Sequence, residues 1–101
     1  MQEKVLEYLL TIPKGKVVTY KQIGEYLGNP KLARAVGNAL HNNPYPEIYP
    51  CYKVVNSRGG LAKHFGYGGI DMQKKKLEAD GIEVIDYTVD LKKYQFIEQN
   101  K

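Results

Sequence analysis

One cysteine stands in this chain, in the run Tyr49-Pro50-Cys51-Tyr52-Lys53-Val54-Val55. An unpaired cysteine is usually a small buried hydrophobe. This one follows a proline and precedes two polar residues and a short β-prone pair. Asn42-Asn43-Pro44-Tyr45-Pro46 lies upstream and Asn56-Ser57-Arg58-Gly59-Gly60 downstream. A lone thiol held in a stiff loop of a basic chain fits a nucleophile that meets a nucleic acid. The competing reading is a packed core residue. Thiolate is the attacking species, and a free thiol with a pKa near ~8.5 is only a few per cent ionised at neutral pH. Chemistry at Cys51 therefore needs a neighbour that lowers the pKa or removes the proton. One cysteine and two histidines do not supply a four-ligand site, so no metal is expected.

The elements that must position this residue are legible from spacing. Val5, Leu6, Leu9 and Leu10 recur at helical intervals between Gln2 and Thr11, and Pro13-Lys14-Gly15 ends that helix. Lys16 to Tyr20 is short and β-branched, so extended. Thr19 is the expected N-cap of a second helix from Tyr20 to Tyr26. Gly28-Asn29-Pro30 closes it, and the proline opens a third helix from Lys31 to His41. On that third helix Leu32, Ala35, Val36, Ala39 and Leu40 share one face, and Arg34, Gly37, Asn38 and His41 the other. Two short helices joined by a Gly-Asn-Pro turn fit a helix-turn-helix, with an ordinary amphipathic surface helix as the alternative.

Beyond the third helix, Asn42 to Pro50 reads as loop and Val54-Val55 as a short strand. Asn56 to Gly69 reads as a long glycine-rich loop with room for one hairpin. Ile70 to Asp80 reads as a basic helix stopped by Gly81. Its Gln73-Lys74-Lys75-Lys76 run also suits the negative end of a helix dipole. The tail from Ile82 alternates apolar and polar residues, a pattern compatible with a closing strand.

Bulk properties bound the answer. The 101 residues fit one domain, 43% of them are hydrophobic, and the net charge is +4. That is too hydrophobic for a disordered chain, and basic enough to permit phosphate binding without proving it. Nine tyrosines and no tryptophan suit both a core and a stacking surface. A lone cysteine cannot form an internal disulfide, and no bilayer-length apolar run or signal pattern is present. A cytoplasmic monomer, nucleoid-associated in a prokaryote, is therefore expected, with no membrane partner.

Several motifs in order resemble one family. Ile12-Pro13-Lys14-Gly15-Lys16-Val17-Val18-Thr19-Tyr20, Gly28-Asn29-Pro30, Ala33-Arg34-Ala35-Val36-Gly37, Asn42-Asn43-Pro44, Pro50-Cys51, and Gly68-Gly69 ahead of Glu78-Ala79-Asp80-Gly81 are similar to the C-terminal domain of O6-alkylguanine-DNA alkyltransferases. These are also called methylated-DNA–protein-cysteine methyltransferases. The resemblance spans about residues 3 to 85, leaving 86 to 101 as a tail. It implies a mostly α, winged helix-turn-helix-like domain with small β elements, taken as a single domain over 1–101.

The same resemblance implies the roles. Its partner would be double-stranded DNA containing O6-alkylguanine, with recruitment of other repair proteins as a further role, and it would need no cofactor. The third helix would enter the minor groove, with Tyr20, Ala33, Arg34, Gly37, Asn38 and Asn43 contacting DNA. Arg34 would fill the gap left by a flipped nucleotide, and Tyr20 would promote the flip and hydrogen-bond the guanine. Asn43 would hinge the helix to the cysteine loop. Tyr20, Asn43, Val54, Tyr67 and Gly68 would form the base pocket. Cys51 would take the alkyl group in a single turnover. Flipping first is chemically required, because O6 lies inside the duplex.

The family pattern is Pro-Cys-His-Arg-Val, and here Tyr52 and Lys53 replace the histidine and arginine. By register, Asp80 replaces the glutamate that orients the histidine. The catalytic set implied is thus Cys51, Tyr52, Lys53, Asp80 and Tyr20. Tyrosine is a poor base at neutral pH, which leaves Lys53, helix N-termini or a tyrosine–aspartate pair to activate the thiol, with His64 as a remoter candidate. Alkyltransferase-like proteins, a sister group, flip the base but lack the cysteine. Cys51 therefore favours transfer, and Tyr52 with Asp80 favours a non-enzymatic damage sensor. A sequence-reading regulator ranks below both, since Ala35, Gly37 and Ala39 offer bases little to bond.

Overall fold

The computed structural model describes residues 2–43, 45, 48–62 and 68–97. Tyr67 and His64 lie outside the described residues. The chain runs α1 (Gln2–Leu9), β1 (Val18–Thr19), α2 (Tyr20–Tyr26), a 3-10 turn (Pro30–Leu32) and α3 (Ala33–His41). A second 3-10 turn (Cys51–Lys53), β2 (Val54–Val55), α4 (Gly69–Ala79), the strands β3 (Val84–Ile85) and β4 (Thr88–Val89), and α5 (Leu91–Tyr94) complete it. This is the mostly α architecture with small sheets expected from the sequence.

The parallel pair β1–β2, in register Val18↔Val54 and Thr19↔Val55, is the partition of the molecule. Side chains alternate along a strand. Val18 and Val54 therefore face one core cluster with Val5, Leu9, Ile23, Val36, Leu40 and Cys51. Val17 and Val55 face a second with Leu61, Leu77, Ile82 and Val89. Each such buried aliphatic side chain contributes roughly 1.5–3 kcal/mol. Three helices thus pack on one side of a two-strand wall, joined there by Phe96, and α4 with Val84, Val89, Leu91 and Tyr94 of the tail on the other.

Local chemistry explains the helix ends. Thr19 Oγ1 accepts from Gln22 N at 3.1 Å while Gln22 Oε1 accepts from Thr19 N at 2.8 Å, a complete capping box at the start of α2. Gly24 lies under the next turn, where an added Cβ would come within 2.9 Å of the Asn29 carbonyl oxygen, so glycine lets α2 and the Asn29-Pro30 turn approach this closely. At the end of α4, Gly81 N and Ile82 N donate to the carbonyls of Glu78 and Leu77 at 2.9 and 3.1 Å, a Schellman stop.

Four expectations are corrected. The extended stretch from Lys16 to Tyr20 shrinks to Val18–Thr19, because Lys16 N closes a turn onto the Pro13 carbonyl at 3.2 Å and Tyr20 already belongs to α2. The third helix begins at Ala33. Asn29 Oδ1 accepts from Lys31 N at 2.9 Å, and the residues from Pro30 wind as a tighter 3-10 turn first. The cysteine itself starts a 3-10 turn rather than standing in open loop. Among the described residues, the tail carries a short helix, α5, after its strands, where a strand was expected. Asp90 Oδ1 caps Lys92 N at 3.0 Å, and α5 follows a β3–β4 hairpin turned by Asp86 and Tyr87 at positive φ. Among the described residues after α5, strand pairing is confined to one parallel bridge, Val17↔Gln95.

Candidate nucleic-acid interface and reactive cysteine

The exposed face of α3 carries Arg34, Asn38 and His41, as the helical wheel requires. Ala33 and Gly37 are half-buried beside them. An added Cβ at Gly37 would meet only the Tyr20 ring, at 4.0 Å, so this glycine keeps the face low without being pressed by backbone. Tyr20, the first residue of α2, is half-buried against the first core cluster, which includes Cys51. Burial pushes its hydroxyl pKa up, and negative charge on Cys51 would push it further. The two groups are therefore electrostatic neighbours.

Asn43 ends the helix and binds the next segment. Its side chain is 3% exposed. Nδ2 donates to the Tyr49 carbonyl at 3.0 Å, Oδ1 accepts from Tyr45 N at 2.9 Å, and its own N–H reaches back to the Leu40 carbonyl at 3.1 Å. One buried amide so joins the last turn of α3 to the strand of chain that enters Cys51.

Cys51 is 6% exposed, and burial raises its pKa. A hydrogen bond from Asn43, its own backbone hydrogen bond and the charge of Lys76 pull the other way without overcoming burial. The resting sulfur is a thiol. The next residue does not correct this. The Tyr52 hydroxyl donates to Asp80 Oδ2 at 3.0 Å, and its pKa is pushed up to about 12 by burial first and by the Asp80 hydrogen bond and charge after it. Tyr52 is a proton donor to the carboxylate, not a base poised for the thiol. Of the activators considered from sequence, the tyrosine–aspartate pair exists.

Lys53 is engaged elsewhere. Its buried ammonium donates to the carbonyls of Ile12 and Pro13, both at 3.2 Å, and sits 3.6 Å from Asp80 Oδ2. It clamps the turn after α1 to the cysteine turn and the end of α4. Val54 is 1% exposed and packs in the core beside Cys51. Gly68 caps α4 with φ 109, in the left-handed region.

Two residues escaped the sequence reading. Gln73 is fully buried. Its Nε2 donates to the carbonyls of Tyr52 and Val54 at 2.9 and 3.0 Å, and its Oε1 accepts from Ala62 N at 2.8 Å. It fixes both sides of the cysteine turn to α4. Lys76 places its ammonium 5.9 Å from the centre of the Tyr52 ring. The missed signal is periodicity. Gln73, Lys76, Leu77 and Asp80 fall on one face of a helix, whereas the basic run reads as a single cluster only when taken residue by residue. Among the described residues no group of three or more histidine, cysteine, aspartate or glutamate side chains could hold a metal, and no helix is long and apolar enough to cross a membrane.

A helix-turn-helix whose second helix is tied by a buried asparagine to a Pro-Cys turn defines a class of helical DNA-binding domain with a cysteine turn beside its second helix. Residues 1–82 match the family model described as 6-O-methylguanine DNA methyltransferase, DNA binding domain, and the chain belongs to that family. It is 42% identical over 80 residues to the methylated-DNA–protein-cysteine methyltransferase of Cricetulus griseus, an overlap of 78% of this chain and 38% of that protein. It is 37% identical over 99 residues to alkyltransferase-like protein 1 of Schizosaccharomyces pombe, covering 92% of this chain and 91% of that one. The crystal structure of S. pombe Atl1 in complex with damaged DNA containing O6-carboxymethylguanine superposes with a TM-score of 0.87 at 34% identity, over 96% of this chain and 94% of that chain. The chain therefore spans well under half of the methyltransferase and nearly all of the alkyltransferase-like protein. Its relatives thus include proteins named as methyltransferases and proteins named as alkyltransferase-like.

Proposed function

We propose that this chain binds duplex DNA through α3, flips an O6-alkylguanine out of the stack, and accepts its alkyl group on Cys51. The observation that carries the reading is the Asn43 clamp. It couples the end of the DNA-facing helix to the only nucleophilic sulfur of the chain through one buried side chain. Arg34 stands exposed on that helix, long and cationic among small residues, and suits the space a flipped base vacates. Unstacking costs a few kcal/mol, which an inserted side chain partly offsets.

The step balances without a cofactor. The S–C bond forms as the O6–C bond breaks, and the electron pair of the broken bond stays on guanine. Tyr20 hands its hydroxyl proton to the base and regains one from solvent, to which the thiol proton is lost. A thioether does not revert, so each molecule reacts once. With the thiol protonated at rest and Tyr52 bound to Asp80, transfer is slow compared with a histidine-activated site.

The same two observations support a second reading, recognition without transfer, as in a damage sensor. Mass spectrometry after incubation with a duplex bearing one O6-methylguanine separates them. A single added methylene on the Cys51 peptide, absent in Cys51→Ala, supports transfer. Damage-selective binding with no adduct assigns the chain to the sensor class. In either class Arg34→Ala lowers affinity for the damaged duplex by about tenfold or more, and equal binding by the variant overturns the stack-filling role.

A further inference from the structure

We propose that Arg58, on the turn after β2, is a further DNA contact of this domain, outside the helix-turn-helix, and holds a backbone phosphate of the duplex that α3 binds. Its role rests on the DNA-binding reading given above. The parallel sheet supplies the placement. β1 and β2 run in the same direction in register Thr19↔Val55, so the residues that follow, Tyr20 and Asn56, leave the sheet at one end. Neighbouring strands lie roughly 4.8 Å apart. Tyr20 opens α2, and its ring lies against Gly37 on α3, where an added Cβ would stand 4.0 Å from it. Gly37 is one turn from Arg34 on that helix. The DNA-facing side of α3, the Tyr20 ring and the turn of residues 56–60 therefore lie in a row along one edge of the molecule.

Local chemistry fixes this turn and leaves its cation exposed. Asn56 Oδ1 accepts from the Arg58 and Gly60 N–H groups, both at 2.8 Å, and Gly59 N closes onto the Asn56 carbonyl at 2.9 Å. From the other side Val89 N donates to the Gly59 carbonyl at 2.9 Å, so the backbone beneath Arg58 is held before any ligand arrives. A preformed backbone lowers the ordering cost of a contact. Arg58 is exposed, and among the described residues it makes no ion pair. Asp90 lies between Val89 and Leu91, which flank Gly59, but it caps α5 through Lys92 N at 3.0 Å rather than pairing with Arg58. An unpaired guanidinium suits the planar, two-oxygen face of a phosphate. A turn beside the groove-bound helix meets the sugar-phosphate wall of the groove, not the base edges within it.

The test is duplex binding by fluorescence anisotropy from about 50 to 200 mM salt, for the native chain, Arg58→Ala and Arg58→Lys. Two duplexes are used, one undamaged and one bearing a single O6-methylguanine. Arg58→Ala should weaken both by the same factor, roughly three- to tenfold at about 0.1 M salt, and lower the slope of log affinity against log salt by about one. Arg58→Lys should keep the slope, since it keeps the charge. Circular dichroism melts establish that both variants fold. A slope unmoved in Arg58→Ala overturns the proposal. So does a loss confined to the damaged duplex, which marks a contact to the base rather than to a phosphate. A native chain that binds neither duplex overturns this contact and the function proposed above together. Native binding to both duplexes alike, with the slope lowered in Arg58→Ala, supports the Arg58 contact while refuting the O6-alkylguanine reading.

Discussion

Cys51 and its neighbours show how burial decides reactivity. A thiol in a closed turn is protected from casual alkylation, and the same desolvation holds it protonated. Tyr52 takes the place of an imidazole and forms the expected hydrogen bond to Asp80, yet its proton is held more tightly than in free tyrosine, up to about 12. Position 52 can pass a proton toward Asp80 but does not pull one from sulfur. Restoring an imidazole with a longer carboxylate, Tyr52→His with Asp80→Glu, should raise the single-turnover rate of methyl transfer by at least about tenfold, since a positioned general base contributes roughly 10²–10⁴. An unchanged rate in stopped-time assays would show that the thiol proton leaves by a path that does not involve position 52.

The elements are held by a few polar side chains at their ends. The capping box at α2, Asn29 at the following turn, Asn43 at the end of α3 and Gln73 within α4 each satisfy backbone groups that would otherwise be left unpaired. The tail is secured the same way. Gly59, with φ 85, donates its N–H to the Asn56 carbonyl, and its own carbonyl accepts from Val89 N at 2.9 Å, where a Cβ would collide with the Val89 carbonyl. Gly59→Ala should therefore destabilise the chain by about 1–3 kcal/mol and detach β4 before the helices, read by denaturant midpoints and by amide exchange at Val89. Exchange at Val89 that is no faster than in the native chain would show that the tail does not depend on this approach. Gln22 extends the device. Its Nε2 donates to the Phe96 carbonyl at 2.8 Å, so the N-terminal turn of α2 is braced by the tail.

For the whole molecule, the two core clusters on either side of β1–β2 tie the cysteine turn to α1, α2, α3 and α4. The three shifted groups in and beside the cysteine turn share one sign. Cys51, Tyr20 and Tyr52 all have raised values, so the folded state keeps protons that the unfolded state releases. Their contribution is fully present below the ordinary thiol and tyrosine values of 9.0 and 10.0 and is lost as pH rises through the raised ones. Stability should be level from pH 7 to about 8.5 and then fall steadily toward pH 11. Cys51→Ser should delay the onset by about one pH unit, the spacing between the ordinary thiol and tyrosine values. Melting temperatures across that range check it, and a flat curve for the native chain would contradict the sign.

Much of this was legible in the chain. The capping Thr19, the Gly-Asn-Pro turn, the two faces of α3 and the Gly81 stop are local features, written in the spacing of a few neighbouring residues and the conformations they allow. Tertiary structure alone decided what each charge does. Lys53 lies two residues from the cysteine but is drawn to carbonyls some 40 residues earlier, while Lys76, a full loop and helix away, reaches the Tyr52 ring. Gln73 ceases to be one of a basic run and becomes a buried strut for the same reason. The helix α5 and the tail's brace on Gln22 belong here too, because the bridge from Gln95 to Val17 has no local pattern. Local conformational preference acts between near neighbours in sequence. Charge, burial and hydrogen-bond satisfaction act between neighbours in space, and only the packed chain determines which residues those are.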